Sequence, residues 1–206
     1  MAFIGKKPTA APLTSSDVAD GIITSAKIAD GTIVNDDVNA SAAIVASKLS
    51  GAGISVADQW RLTANITGTN AVISSNLERV NTGGQGSLGS AMSVSSGVWT
   101  FPSTGIYWVM FDGNGQADSA ADNMAVIMEA TTNNSSYSDV AYGTDSGGGA
   151  AQDQSSSIIL SSLIDVTDTS NVKVRFETSS FASGSYLGGD GDINYSTFTF
   201  IRLGDT

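Results

Sequence analysis

Two runs of alternating side chains, Val98 to Phe101 and Ile106 to Phe111, stand on either side of Pro102-Ser103-Thr104-Gly105. Proline lacks the N–H a ladder needs and glycine takes backbone angles other residues avoid, so these four residues bend the chain between two strands. The corner carries Trp99, Phe101, Tyr107, Trp108 and Phe111, the most aromatic stretch of the sequence. Alternation puts Tyr107, Val109 and Phe111 on one side of the second strand and Trp108 and Met110 on the other. One sandwich interior covers one side only. The remaining row is therefore expected to meet a neighbouring chain or a crossing loop.

Composition supports an all-β chain. The 206 residues are 41% apolar and include 23 glycines, with few long charged side chains, which suits short strands joined by many turns. Strands are expected at 59–66, 70–74, 90–94, the two corner runs, 124–130, 137–142, 157–166, 172–177 and 195–203. Turn clusters at 112–118, 143–149 and 188–191 separate them. A short helix is the alternative for 157–165, because Ile158, Ile159, Leu160 and Leu163 do not alternate strictly. About ten strands in two sheets, a jelly roll over residues 55–206, is the economical arrangement.

The first quarter of the chain has a different grammar. Residues 1–12 contain Pro8 and Pro12 and read as an extended arm, either disordered or ordered against a partner. From 13 to 54 a short unit recurs: Asp17-Val18-Ala19-Asp20-Gly21, Lys27-Ile28-Ala29-Asp30-Gly31, Asp37-Val38 and Lys48-Leu49. Each unit holds one or two apolar anchors (Val18, Ile28, Val38, Leu49) and too little surface to bury a face alone. Such repeats are stable only when stacked or exchanged with neighbouring chains, so the shaft is expected to be intermolecular. The alternating Asp and Lys before the anchors suit register more than energy, since an exposed pair contributes less than about 1 kcal/mol.

Two resemblances follow from these residues. The spacing Gly97-x-Trp99-x-Phe101-Pro102-x-x-Gly105-x-Tyr107-x-Val109-x-Phe111 resembles the strand pair of the complement globular-head and tumour-necrosis-factor-like jelly rolls. The loop Arg79-Val80-Asn81-Thr82-Gly83 and the closing aromatic run with Phe198 and Phe200 are similar to that family as well. The resemblance implies a homotrimer joined through apolar sheet faces, with Trp99, Phe101, Tyr107, Trp108, Phe111, Phe198 and Phe200 in the core or the trimer contact. The repeats and the opening Met1-Ala2-Phe3-Ile4-Gly5-Lys6-Lys7-Pro8 resemble the N-terminal regions of tail-fibre and virion-fibre proteins of tailed phages, especially cyanophages.

Charge and missing residue types narrow the chemistry. The net charge is −11, with residues 55–206 carrying five basic and fifteen acidic side chains, so a nucleic-acid partner is not expected. The chain has no Cys and no His, which removes disulfides, thiol chemistry and the ordinary serine triad. No apolar run approaches the ~20 residues of a membrane helix, and the N-terminus has no apolar segment of a secretory signal, so membrane insertion and secretion are not expected. Gly84-Gln85-Gly86-Ser87-Leu88-Gly89 matches a dinucleotide fingerprint in letters but lacks its strand and helix context, and reads as loop. Asp112 to Asp118 places oxygens at alternate positions without the turn glycine of a calcium loop. Asp190-Gly191-Asp192 is a somewhat better candidate for a hard cation, because related globular heads can hold calcium near the trimer axis, but a solvated turn is the preferred reading. Glu78, Glu129 and Glu177 offer no evident pair for glycan cleavage.

The expectation is a non-enzymatic virion protein without metal or cofactor: a homotrimeric fibre attached to other virion proteins through residues 1–54, made in the host cytoplasm and released by lysis. Its knob serves either host-surface attachment or capsid decoration. A dedicated tail adhesin for a host glycan or protein is the alternative, with a glycan-degrading enzyme behind it. The candidate recognition surfaces are the loops 112–122, 131–138, 144–154 and 183–192.

Overall fold

The computed structural model describes residues 18–39, 41–42, 44, 53–68, 70–117, 123–146 and 154–206. The chain divides into two units, Met1–Val45 and Ala46–Thr206. The expected arm 1–12 and the anchor Leu49 lie outside the described residues.

In the first unit the ten-residue repeat of the sequence becomes a ten-residue repeat of hydrogen bonds. Ile22 N–H donates to Ala19 and Thr32 N–H to Ala29, closing two turns with Gly21 and Gly31 at φ 77° and 75°. Lys27 N–H donates to Thr24 and Asp37 N–H to Val34, each opening a single turn of 3₁₀ helix, Ser25–Lys27 and Asn35–Asp37. Every described side chain from Val18 to Asn39 is exposed in the single chain. Val18, Ile28 and Val38 are 37%, 38% and 38% accessible, and Ile23, Ile33 and Val34 exceed half. The unit thus repeats in backbone geometry while burying none of these aliphatic side chains, as the composition of the unit demands.

The second unit is a two-layer all-β sandwich. Its strands, among the described residues, are β1 (Val56–Leu62), β2 (Ile66–Thr67), β3 (Ala71–Val72), β4 (Leu77–Arg79), β5 (Ser93–Ser95), β6 (Val98–Thr100), β7 (Gly105–Ala117), β8 (Asn123–Thr131), β9 (Ser138–Ser146), β10 (Gln154–Val166), β11 (Lys173–Ser179), β12 (Tyr186–Leu187) and β13 (Thr197–Gly204). One sheet runs β10-β7-β13-β1-β4, with β12 joining β7 beyond the end of β13 and β2 outside β12. The other runs β5-β6-β11-β8-β9, with β3 on β11 beyond β6. All pairings are antiparallel, and the crossovers between the two sheets make a jelly roll.

The inward rows meet in an aromatic core. Tyr107, Val109 and Phe111 of β7, Phe198 and Phe200 of β13, Phe176 of β11 and Trp99 of β6 have no solvent exposure, and Phe101 has 1%. Trp99 stands edge-on to Trp60 at 5.1 Å between ring centroids and lies 4.9 Å from Phe200, while Phe111 packs 5.1 Å from Phe198. These separations suit offset and edge-to-face aromatic pairs, which add about 0.5–1.5 kcal/mol each to their area burial. Gly105, at the corner, has φ 137°, and a Cβ there would sit 2.5 Å from both Arg202 Nε and Gly204 O. Neither the angle nor the space admits a side chain, which explains the glycine of the corner.

Several expectations change. Residues 143–146, expected to open a turn cluster, belong to β9, and the first expected strand, 59–66, is shifted to Val56–Leu62. Residues 112–117 are not a turn: they prolong β7, because the Phe111 ring lies where a Gly113 side chain would be, and Met124 and Ile158 fill the place beside Gly115. Segment 157–165 is strand, as the main reading has it, and the helix alternative falls. Its apolar residues fail to alternate because Ile158, Leu160 and Ile164 face the core while Ile159 and Leu163 face outward, 59% and 63% exposed. The last strand begins at Thr197 rather than 195, leaving Tyr195 in the preceding loop, 48% exposed. The short strands β4 and β12 have no counterpart in the sequence reading, and of β2 only Ile66 falls within an expected strand.

Candidate functional site

The outward face of the β10-β7-β13-β1 sheet carries two transverse rows of opposite character, both centred on β7. In the first, Trp108 stands opposite Leu163 of β10 and Ile201 of β13, and Ile201 stands opposite Ala57 of β1. Ile106 and Met110 flank Trp108 along the strand, and Leu203 is exposed nearby on β13 at 49%. Four adjacent strands spaced ~4.8 Å apart make an apolar band ~14 Å across. The sequence left open which side of the corner strand would face outward. The structure encloses Tyr107, Val109 and Phe111 and presents Trp108 and Met110.

The second row lies at the far end of β7, eight residues or ~26 Å along the strand. Gln116 stands opposite Ser155 of β10 and Tyr186 of β12, and Tyr186 stands opposite Thr67 of β2. Gln116 Nε2 donates to Asn114 Oδ1 at 2.9 Å and to Ser155 Oγ at 2.6 Å, and Asn114 Nδ2 donates to the same hydroxyl at 3.0 Å. The backbone around Asn114 is held by Gly188 N–H donating to its carbonyl at 2.8 Å and by its own N–H donating to Tyr195 O at 3.2 Å. Asn65 Oδ1 accepts from Gly189 N–H at 3.0 Å, which fixes the loop that closes the end. Together with Tyr186 and Tyr195 these residues line a recess of about 290 Å³. Among the described residues, no lining side chain is charged.

The other sequence candidates separate in space. Gly84 to Gly89 is loop whose Leu88 bridges the backbone of Ala57 in both directions, at 3.0 and 2.8 Å. Asp190 Oδ1 accepts from the N–H groups of Asp192 and Ile193 at 2.7 and 3.0 Å, and these donors hold its carboxyl below the usual carboxylate range. Among the described residues no three Asp or Glu side chains converge as a metal site would require. Glu78 lies 3.6 Å from Arg61 on one sheet. Glu129 takes both its contacts, 2.6 and 3.0 Å, from Arg175 on the other sheet. That pairing raises the pKa of Arg175, whose guanidinium also lies 4.1 Å from the ring centre of Tyr137. Glu177 shares this open sheet face, so the three glutamates do not oppose one another across a cleft.

Of the recognition loops expected from sequence, 112–122 contributes Asn114 and Gln116 from what is strand, and 183–192 contributes Tyr186. Asn65, Ser155 and Tyr195 lie outside those loops. The recess gathers residues from five separate segments, and no short-range pattern marks them. The one local signal is the change along the outward positions of β7 from Ile106, Trp108 and Met110 to Asp112, Asn114 and Gln116, visible once the strand is known to run through both glycines.

No family model matches the sequence, and no curated protein matches it. Solved structures do. Eiger TNF from S. frugiperda superposes with a TM-score of 0.56 at 11% identity, covering 73% of this chain and 94% of that one. Murine APRIL, in a crystal at pH 5.0, superposes with a TM-score of 0.52 at 10% identity, covering 72% of this chain and 98% of that one. The two antiparallel sheets thus form a tumour-necrosis-factor-like jelly roll.

Proposed function

We infer that the chain is a non-enzymatic structural and binding protein of a tailed-phage virion: a homotrimeric fibre that attaches to the particle through residues 1–54 and displays the jelly roll as a knob. The observation that carries the reading is the Leu163–Trp108–Ile201–Ala57 band, a continuous apolar surface on the outward face of a central sheet. Apolar area of this kind on a soluble domain is a contact surface. The jelly-roll resemblance supplies its occupant, two further copies of the same chain. The exposed aliphatic residues of the repeats ask for the same partners, since Ile23, Ile33 and Val34 are more than half exposed within one chain. The resemblance of the repeats to phage fibre sequences supplies the virion setting.

Light scattering of the full-length protein at micromolar concentration is the direct test. A trimeric mass is expected, and a monomeric mass overturns the assembly. Detection of the protein in purified particles, by mass spectrometry and by labelling in electron micrographs, tests the virion placement. Attachment rather than bare decoration is favoured by the uncharged recess at the end of β7, which nothing in the packing of the sandwich requires.

A further inference from the structure

We propose that the recess at the end of β7 is a binding subsite for one neutral pyranose ring. The observation is a matched set of groups. Two tyrosines, Tyr186 and Tyr195, border the opening, and an aromatic face is the usual platform for the C–H face of a sugar. Asn114, Gln116 and Ser155 stand between them, and side-chain amides and hydroxyls offer the donor and acceptor pairs that vicinal sugar hydroxyls need. Gln116 Oε1 and both phenolic hydroxyls make no hydrogen bond among the described residues, so acceptors and donors remain for a ligand. The amide groups are already fixed by one another and by the Ser155 hydroxyl, and the Asn114 backbone is held by Gly188 and Tyr195. Little ordering is lost when a ligand arrives.

Charge sets the class of sugar. The described lining is neutral and residues 55–206 carry ten more acidic than basic side chains, fifteen against five, so uronates and sialic acids are repelled while neutral hexoses and N-acetylhexosamines are not. The volume of about 290 Å³ is at the low end for small-ligand sites, which suits one ring and not a buried chain. With no carboxylate pair among the described lining residues, the subsite is proposed for binding and not for cleavage. Because the apolar band lies ~26 Å away along β7, a trimer closed through the band leaves three recesses at one end. One neutral ring contributes about millimolar affinity. Three recesses acting on a polymer raise it by roughly 10²–10⁴.

This subsite rests on reading the chain as a binding fibre, and the test separates the two. Full-length protein is titrated with methyl glycosides of glucose, galactose, mannose, N-acetylglucosamine and glucuronic acid by saturation-transfer NMR, and in parallel with neutral polysaccharides of the same sugars, while light scattering reports the assembly. At least one neutral glycoside is expected to bind at millimolar concentration. Tyr195→Ala and Gln116→Ala should each weaken it about tenfold, the size of one lost contact, with unchanged mass and circular dichroism. Binding of the glycoside without the polymer keeps the subsite and assigns it to soluble sugar; tighter binding of the polymer assigns it to a surface glycan. No neutral sugar bound in either form, glucuronide preferred, or binding untouched in both variants overturns the subsite, even if the trimer stands. Attachment to host cells that is abolished by protease and indifferent to both substitutions also overturns it. A monomeric mass with glycoside binding intact overturns the fibre reading and leaves the subsite.

Discussion

Arg79 Nε lies 2.6 Å from Oδ1 of Asp58, a carboxylate with no side-chain exposure on the inward face of β1. Its second oxygen accepts from Trp60 Nε1 at 3.1 Å and from the Met92 N–H at 2.8 Å. One acid therefore ties β1 to β4, to the loop before β5 and to the aromatic core. Asp58→Ala leaves three donors without their acceptor and is expected to destabilise by about 3–5 kcal/mol. Arg79→Met keeps two of the three bonds and should cost less than half as much. Urea unfolding of the two variants checks the order; equal losses would mean that the ion pair, and not the triple acceptor, is what matters.

Leu163→Lys tests the proposed trimer without touching the core. Leu163 is 63% exposed in one chain, so a lysine there is tolerated by the fold, whereas three lysines in a closed apolar band are not. The expected outcome is a monomer in sedimentation with an unchanged circular dichroism spectrum. Phe111→Asp, by contrast, places a carboxylate inside the sandwich beside Phe198 and should abolish folding altogether.

Much of this architecture can be read in the chain. The Pro102-x-x-Gly105 corner and the alternation of Tyr107, Val109 and Phe111 against Trp108 and Met110 define two strands, and the aromatic residues chosen for the core are buried except Trp108. Where local and tertiary preferences part, reading fails. Asp112 to Ala117 has the composition of a turn and is strand because Phe111, Met124 and Ile158 occupy the space its glycines leave. Ile158 to Leu163 fails the period-2 test because both faces of β10 are apolar, one toward the core and one toward the outward band. The polar recess is invisible locally, since Asn65, Gln116 and Tyr195 come together only after the sheet closes.

Gly105→Ala tests the corner. The backbone angle and the 2.5 Å approach to Arg202 Nε and Gly204 O both oppose a Cβ, so the loss should exceed about 1 kcal/mol. For a domain of this size each 1 kcal/mol lowers the melting temperature by ~2–4 °C, which differential scanning calorimetry resolves. Gly191→Ala, with nothing within 4 Å of its added Cβ, is the control and should melt as the parent does.

Acid should weaken the loop after β12. The carboxyl of Asp190 is held below its ordinary pKa by the Asp192 and Ile193 N–H groups, so the folded state binds its proton less readily than the unfolded chain. The contribution is complete above the unfolded value of ~3.9 and disappears as pH falls from there through the folded pKa. Asp190→Ala should flatten the stability profile in that acid window and lower stability above it, as read from urea midpoints between pH 2 and 6.

Residues 1–54 alone should not assemble. Their described side chains are exposed in one chain, and three shafts meet only if the knob holds them at an effective concentration of about millimolar. Circular dichroism and sedimentation of that fragment should show an unassociated coil, while residues 46–206 keep the β spectrum and the trimeric mass of the knob. A shaft fragment that is folded and trimeric by itself would reverse the order of assembly.

The first and last strands of the knob are direct neighbours, Val56 opposite Arg202 and Trp60 opposite Phe198. At a synthesis rate of about 5–20 residues per second, the repeats leave the ribosome and wait roughly 7–30 s before β13 exists to fill the gap between β7 and β1. During that interval the nascent chain offers exposed isoleucines and an unclosed sheet to every other chain on the same message. The weak self-sufficiency of the ten-residue repeat is then a safeguard: units that cannot pair by themselves cannot pair early, out of register, or with the wrong two partners.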